Sequence, residues 1–195
     1  MKKKGVFIVV LAILAIVVLF TWSSYNSMVK GDEKVQTAWS QVENVYQRRA
    51  DLIPNLVNTV KGYAAHEKGT LEGVVQARAR ATQITVDPEN MNEASLQKYQ
   101  NAQGELGAAL GKLLMIQENY PDLKANENFL ELQSQLEGTE NRIAVERKKF
   151  NETARQYNIM IRQFPKNIFA GMFGFSKKPY FKAAEGSEKV PAVKF

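Results

Sequence analysis

The sequence predicts an all-α chain, a membrane-spanning helix followed by a helical bundle, on three observations. Residues Val6 to Phe20 form an uncharged apolar run, VFIVVLAILAIVVLF. Beyond it, apolar residues recur at helical spacing through two long segments. No stretch of useful length alternates apolar and polar residues as a half-buried strand would. With 45% hydrophobic and 24% charged residues in 195, the chain has the composition of a folded protein rather than a disordered one.

The first element is the anchor, residues 1–24. Thr21 and Trp22 extend the apolar run to about 17 residues, or roughly 25 Å of helix, slightly short of a hydrocarbon core. Trp22 and Tyr25 suit the interface and lengthen the span. The candidate anchor residues are Val6, Phe7, Ile8, Leu11, Ile13, Leu14, Ile16, Leu19, Phe20 and Trp22. Lys2, Lys3 and Lys4 before an apolar core also describe a signal peptide. The following FTWSSYNS lacks a small-x-small cleavage pattern, so an uncleaved anchor is expected. Basic residues crowd the N-terminal flank, whereas Lys30 and Lys34 are offset by Asp32 and Glu33. The positive-inside rule then predicts a cytoplasmic N-terminus and an extracytoplasmic body.

Residues 25–164 form the body. Tyr25, Asp32, Trp39, Tyr46, Ile53 and Val60 repeat every seven residues, beside Met28, Val35, Val42, Arg49, Leu56 and Tyr63. Together they make one helical stripe, interrupted only by Asp32 and Arg49. Pro54 lacks the N–H that would bond the Ala50 carbonyl, so a bend is expected there. Arg48 and Asp51 lie within ion-pair reach on the helix surface. Arg49 falls on the stripe and needs a buried partner, for which Glu140 and Glu146 are the candidates. A second helix is expected over about Thr70 to Ile84, and a third from Pro88 or Glu89 to Glu118. Gly104, Gly107 and Gly111 weaken the third intrinsically and are expected to permit close helix approach. Pro121 starts the connection to a fourth helix. Its stripe is Phe129, Leu136, Ile143, Phe150, Tyr157 and Phe164, with mixed companion positions that fit a bundle better than a two-stranded coiled coil.

Chemistry-bearing patterns are scarce. Cysteine is absent and His66 is the sole histidine, so disulfides, thiolate zinc sites and most histidine catalysis are excluded. His66 is expected to meet the last carbonyls of the first helix. No catalytic, metal or cofactor-binding residue is assigned. The net charge of +6 belongs to the two ends, the middle being nearly neutral, which argues against a nucleic-acid partner. ERKKF, Glu146 to Phe150, and the arginines Arg78 and Arg80 of QARARAT are read as solvated surface.

The segment 165–182, PKNIFAGMFGFSKKPYFK, is too apolar for a free tail. Its candidate interface residues are Phe169, Met172, Phe173, Phe175, Lys177, Lys178, Tyr180 and Phe181. Three fates fit this mixture of rings and lysines: docking on a lipid surface, packing across the bundle or a neighbouring subunit, and recognition of another protein. The last residues, 183–195, are expected to be a flexible tail.

The segments YNSMVKGDEKVQTAWSQVENVYQRRADLIPNLVNTVKGYAAHE, ENYPDLKANENFLELQSQLEGTENRIAVERKKFNETARQYNIMIRQFP and GFSKKPYF together resemble the LemA family of bacterial membrane-anchored proteins. That resemblance covers nearly the whole chain from the anchor to Phe181. It implies a single N-terminal span and a long antiparallel four-helix bundle, and it supplies no agreed activity or catalytic residue. It also implies gene neighbours encoding membrane proteins, a zinc metalloprotease among them. The expectation is a non-enzymatic membrane-anchored scaffold or interaction protein of the cell envelope, with the bilayer as partner and self-association as a further contact. The alternative is a regulatory partner of a membrane protease in envelope stress or quality control.

Overall fold

The apolar run and the first stripe fall on one uninterrupted helix, α1, Lys2–Tyr63, of 62 residues. The structure, a computed structural model, describes residues 2–182, with side chains from Gly5 onward. The expected flexible tail, 183–195, lies outside the described residues. Along α1, Val6 to Leu19 are all exposed among the described residues, whereas Met28, Val35, Trp39, Val42, Tyr46, Ile53, Leu56 and Val60 are buried. The helix therefore passes without a break from an exposed segment long and apolar enough to cross a membrane to one that the protein covers itself.

After a short turn the chain returns as α2, Lys68–Gln83. The third helix, α3, is Glu93–Met115, and so begins later than Pro88 or Glu89. The reason is local. The Asp87 carboxylate accepts from Glu89 N at 2.9 Å and Asn90 Nδ2 at 2.7 Å, which holds the loop in a turn. Asn92 and Ser95 then form a reciprocal capping box, which sets the helix start at Glu93. A 3₁₀ turn, Ile116–Asn119, and the short α4, Pro121–Lys124, lead to Asn126. Its Oδ1 accepts from Phe129 N at 2.9 Å and caps α5, Glu127–Arg162. α5 ends short of Phe164, which is highly exposed, so the last member of the expected stripe lies off the helix. α6, Lys166–Phe173, closes on Gly174 at φ 77°, with Phe175 N bonded to Ala170 O at 3.0 Å. Residues 175–182 continue as an extended strap.

α5 runs antiparallel along α1, and α2 and α3 form a hairpin beside them. Gly31 lets α5 approach closely, since a Cβ there would strike Met160 Cε and crowd the Tyr157 ring. The glycines of α3 do not serve that purpose: Gly104 and Gly111 face open space, and a Cβ on Gly107 would lie 3.7 Å from Arg49 Nη1, an ordinary contact. Two apolar cores stack along the bundle. The membrane-proximal one contains Met28, Val35, Trp39, Tyr99, Phe150 and Phe181; the distal one contains Ile53, Leu56, Val74, Leu106, Leu113 and Phe129.

Pro54 sits within α1, which continues as helix to Tyr63. The carbonyl it leaves vacant, Ala50 O, accepts a hydrogen bond from Arg78 Nε of α2 at 2.8 Å. The proline thus turns an internal acceptor into an interhelical one, and Arg78 is a structural donor rather than a solvated surface residue. We expect Arg78→Ala to lower the unfolding free energy by about 1 kcal/mol in the native background. It is expected to cost much less beside Pro54→Ala, where residue 54 regains its N–H. A double-mutant cycle on the full chain in detergent, read by chemical denaturation, measures that coupling.

Candidate functional site

Between the two cores lies a polar waist built on Arg49. Its side chain is 4% exposed. Nη1 donates to Glu140 Oε2 of α5 at 3.0 Å, and Nη2 donates to the carbonyl and to Oε1 of Gln103 on α3, at 2.9 and 2.8 Å. The guanidinium also lies 5.1 Å from the Tyr46 ring centroid. Arg49 Nε is the one nitrogen of the group left without an acceptor. Gln103 Nε2 reaches on to Ala81 O of α2 at 3.4 Å, so the waist touches all four long helices. Of the two candidate carboxylates, Glu140 is the partner, while Glu146 pairs with Lys149. The expected Arg48–Asp51 pair does not form: Asp51 accepts from Gln47 and Arg48 faces solvent.

The second interruption of the stripe is met from the far end of the chain. Asp32 Oδ1 pairs with Lys178 Nζ at 2.9 Å, and the same ammonium donates to Pro88 O at 3.0 Å. Lys178 is buried, so its charge is carried by the carboxylate and loop carbonyls instead of water. Burial, followed by the nearby Asp32 charge, pushes the Tyr157 phenol above its ordinary pKa. The strap backbone is held by two asparagines of α5 seven residues, or about two turns, apart. Asn158 accepts from Lys178 N at 2.9 Å and donates to Lys178 O at 2.8 Å. Asn151 does the same for Phe181, at 2.8 and 3.0 Å. Each amide satisfies one residue's donor and acceptor together, as a neighbouring strand would.

These clamps seat Phe181 against Trp39, with centroids 6.0 Å apart, and against Phe150 at 5.5 Å. Trp39 also meets Tyr99 at 5.2 Å, so one ring from the strap completes an aromatic cluster spanning α1, α3 and α5. Arg147 lies over the Phe181 ring at 4.7 Å and donates to Lys182 O at 2.9 Å. It is therefore a strap contact within ERKKF, which the sequence reading left in solvent. Lys182 also pairs with Glu93, and that bond holds the Glu93 carboxyl below the usual glutamate range.

The predicted interface residues consequently divide. Lys178 and Phe181 are taken up inside the chain, Phe169 and Phe175 are half-buried, and Met172, Phe173, Lys177 and Tyr180 are exposed. His66 is exposed beyond the end of α1, where backbone N–H groups take the terminal carbonyls: Ala64 N bonds Val60 O, and Glu67 N bonds Ala64 O. Among the described residues, no cluster of three or more histidine, aspartate or glutamate side chains is placed to hold a metal ion. Asn151, Asn158 and Arg147 escaped the sequence reading. Their one signal is that both asparagines directly follow stripe residues, Phe150 and Tyr157.

A membrane-spanning helix continued into an α-helical bundle, closed by an extended C-terminal strap, defines a membrane-associated helical protein. The chain belongs to the LemA family, which it matches over residues 38–195, a match that begins within α1 after the apolar span. Among its relatives are Magnetosome protein MamQ 1 and MamQ 2 of Paramagnetospirillum magneticum, each 28% identical over 175 residues, covering 81% of this chain. The chain spans 64% of the length of those proteins. Protein LemA of Metamycoplasma hominis is 25% identical over 160 residues, covering 82% of this chain and 69% of the relative.

Two outcomes follow from this geometry. Arg49→Ala should cost about 3 kcal/mol, because it strands the buried Gln103 side chain, whereas Glu140→Gln should cost less than about 1 kcal/mol. The contrast arises because the Glu140 side chain is 62% exposed; denaturation of both variants reads it. Glu93 has a lowered folded pKa, so its contribution is complete above the unfolded glutamate value of about 4.3 and is lost as pH falls through the lowered one. NMR titration of the Glu93 carboxyl should therefore give a pKa below about 4.3, and Lys182→Met should return it to that value.

Proposed function

We propose that this protein is a non-enzymatic, membrane-anchored helical scaffold or interaction protein of the bacterial cell envelope, with an N-terminus in the cytoplasm and a body outside it. The observation that carries the reading is the continuity of α1. At 1.5 Å per residue its 62 residues extend about 90 Å, and no linker separates the apolar span from the bundle. Such a helix fixes the body relative to the bilayer and holds its flanks at a set height. A tethered enzyme needs a concave site with convergent chemistry, whereas the buried polar groups described above are engaged in holding helices and strap together. Neither the magnetosome nor the LemA relatives carry the name of a reaction.

The test uses full-length protein crosslinked in intact cells and then solubilised from the membrane. A discrete complex, either of copies of this chain or with envelope membrane proteins, is the expected result. It should disappear when a flexible glycine-serine segment is inserted after Ser24, because the body is then no longer held at a fixed height. Recovery of monomer alone, a complex indifferent to the insertion, or a turnover that survives purification and is abolished by one substitution would overturn the reading.

A further inference from the structure

α6 presents apolar side chains on more than one side. Phe169 meets Phe20 of the membrane span with centroids 6.1 Å apart, and Phe173 and Phe175 meet Tyr25 at 5.1 and 5.7 Å. Ala170 is buried and Lys166 Nζ donates to Ser27 Oγ at 3.1 Å. These ring and hydrogen-bond contacts fall between Phe20 and Ser27, the last turns of the apolar run and the first of the body. Other large side chains are open among the described residues: Phe164, just before α6, is 80% exposed, and Met172 and Ile168 on it are 72% and 52% exposed. Left in water, large apolar side chains of this kind gathered on one short segment would be a liability.

Its location identifies the occupant. Phe20 ends the apolar run of the membrane-spanning segment, and Phe169 of α6 rests on it. Trp22, two residues further along α1, is also exposed, as an interfacial ring would be. Arg162 and Lys177, both exposed, flank α6 in sequence on either side, where cations can meet anionic headgroups. We propose that α6 is a second membrane contact: Phe164, Ile168 and Met172 enter the interfacial region of the bilayer crossed by α1. The inference rests on the membrane reading of α1. It makes the lipid surface a partner of the body, and through residues 174–182 that surface is continuous with the clamp that seats Phe181 in the core.

The chain contains no cysteine, so a single introduced thiol gives one labelling position. Full-length protein carrying an environment-sensitive fluorophore at Met172→Cys is reconstituted into vesicles of phosphatidylcholine and phosphatidylglycerol containing a lipid with a nitroxide high on its acyl chain. Quenching is expected to exceed that of a label at Ser134→Cys, an exposed position far along α5, by about 2-fold or more. Ile168→Glu should reduce quenching at position 172 towards that control, with helix content and melting unchanged. A label at Leu14→Cys, quenched by a nitroxide deep in the acyl chain, reports the span independently, so loss of the α6 signal alone would sink this proposal and not the anchor. Equal quenching at 172 and 134 would overturn it. So would self-quenching at 172 that depends on protein density and ignores the nitroxide, because the patch would then be covered by a second copy.

Discussion

Two charges set into the apolar stripe of α1 organise the bundle, because one is itself buried and the other is the counter-charge of a buried lysine. Arg49 draws a carboxylate from α5 and an amide side chain from α3. Asp32 draws a lysine from the end of the described chain. A stripe of leucines and valines at those positions would pack against many surfaces and in more than one register. A buried guanidinium on α1 and a buried ammonium on the strap, each with named partners, accept few arrangements. The waist thereby fixes how the α2–α3 hairpin sits against α1 and α5, and the Asp32–Lys178 pair fixes where the strap crosses.

The backbone groups obey the same accounting. Pro54 removes a donor from α1, and the acceptor left behind is used by Arg78 to join α2 to α1. The strap has extended backbone groups that need partners, and α5 supplies asparagine amides spaced to meet every third residue of an extended segment. In both places a local irregularity is resolved by a side chain from a different element, so secondary structure and tertiary packing are not separable here.

Much of this fold was legible in the sequence because periodicity reports burial directly. The Val6 to Phe20 run, the paired series on α1 and the Phe129 to Tyr157 series mark the span, the long helices and their buried faces. Even the partner of Arg49 could be narrowed to two carboxylates, Glu140 and Glu146, since an uncompensated charge in a stripe calls for a carboxylate on a facing helix. The start of α3 was missed because an Asx turn at Asp87 and a capping box at Asn92 outweigh the preference of Pro88 for a first turn. Gly104 and Gly111 were misread because small size permits close approach without requiring it. Asn151, Asn158, Arg78 and Arg147 were invisible as contacts, since each bonds a backbone carbonyl or amide that carries no side-chain signature. The fate of the terminal rings depended on those same bonds, so a lysine that suits a headgroup by composition, Lys178, proves to be the partner of Asp32.

The strap also orders the life of the polypeptide in time. Asp32 and Trp39 leave the ribosome early, whereas Lys178 and Phe181 are among the last described residues to be synthesised. Until they arrive, the nascent bundle keeps an unpaired carboxylate and an incomplete ring cluster near its foot, and the contacts that cure both defects close a loop across most of the sequence. Translation that stops short of Lys178 would leave those defects uncorrected, so the foot of the bundle is completed only once the strap is laid across it.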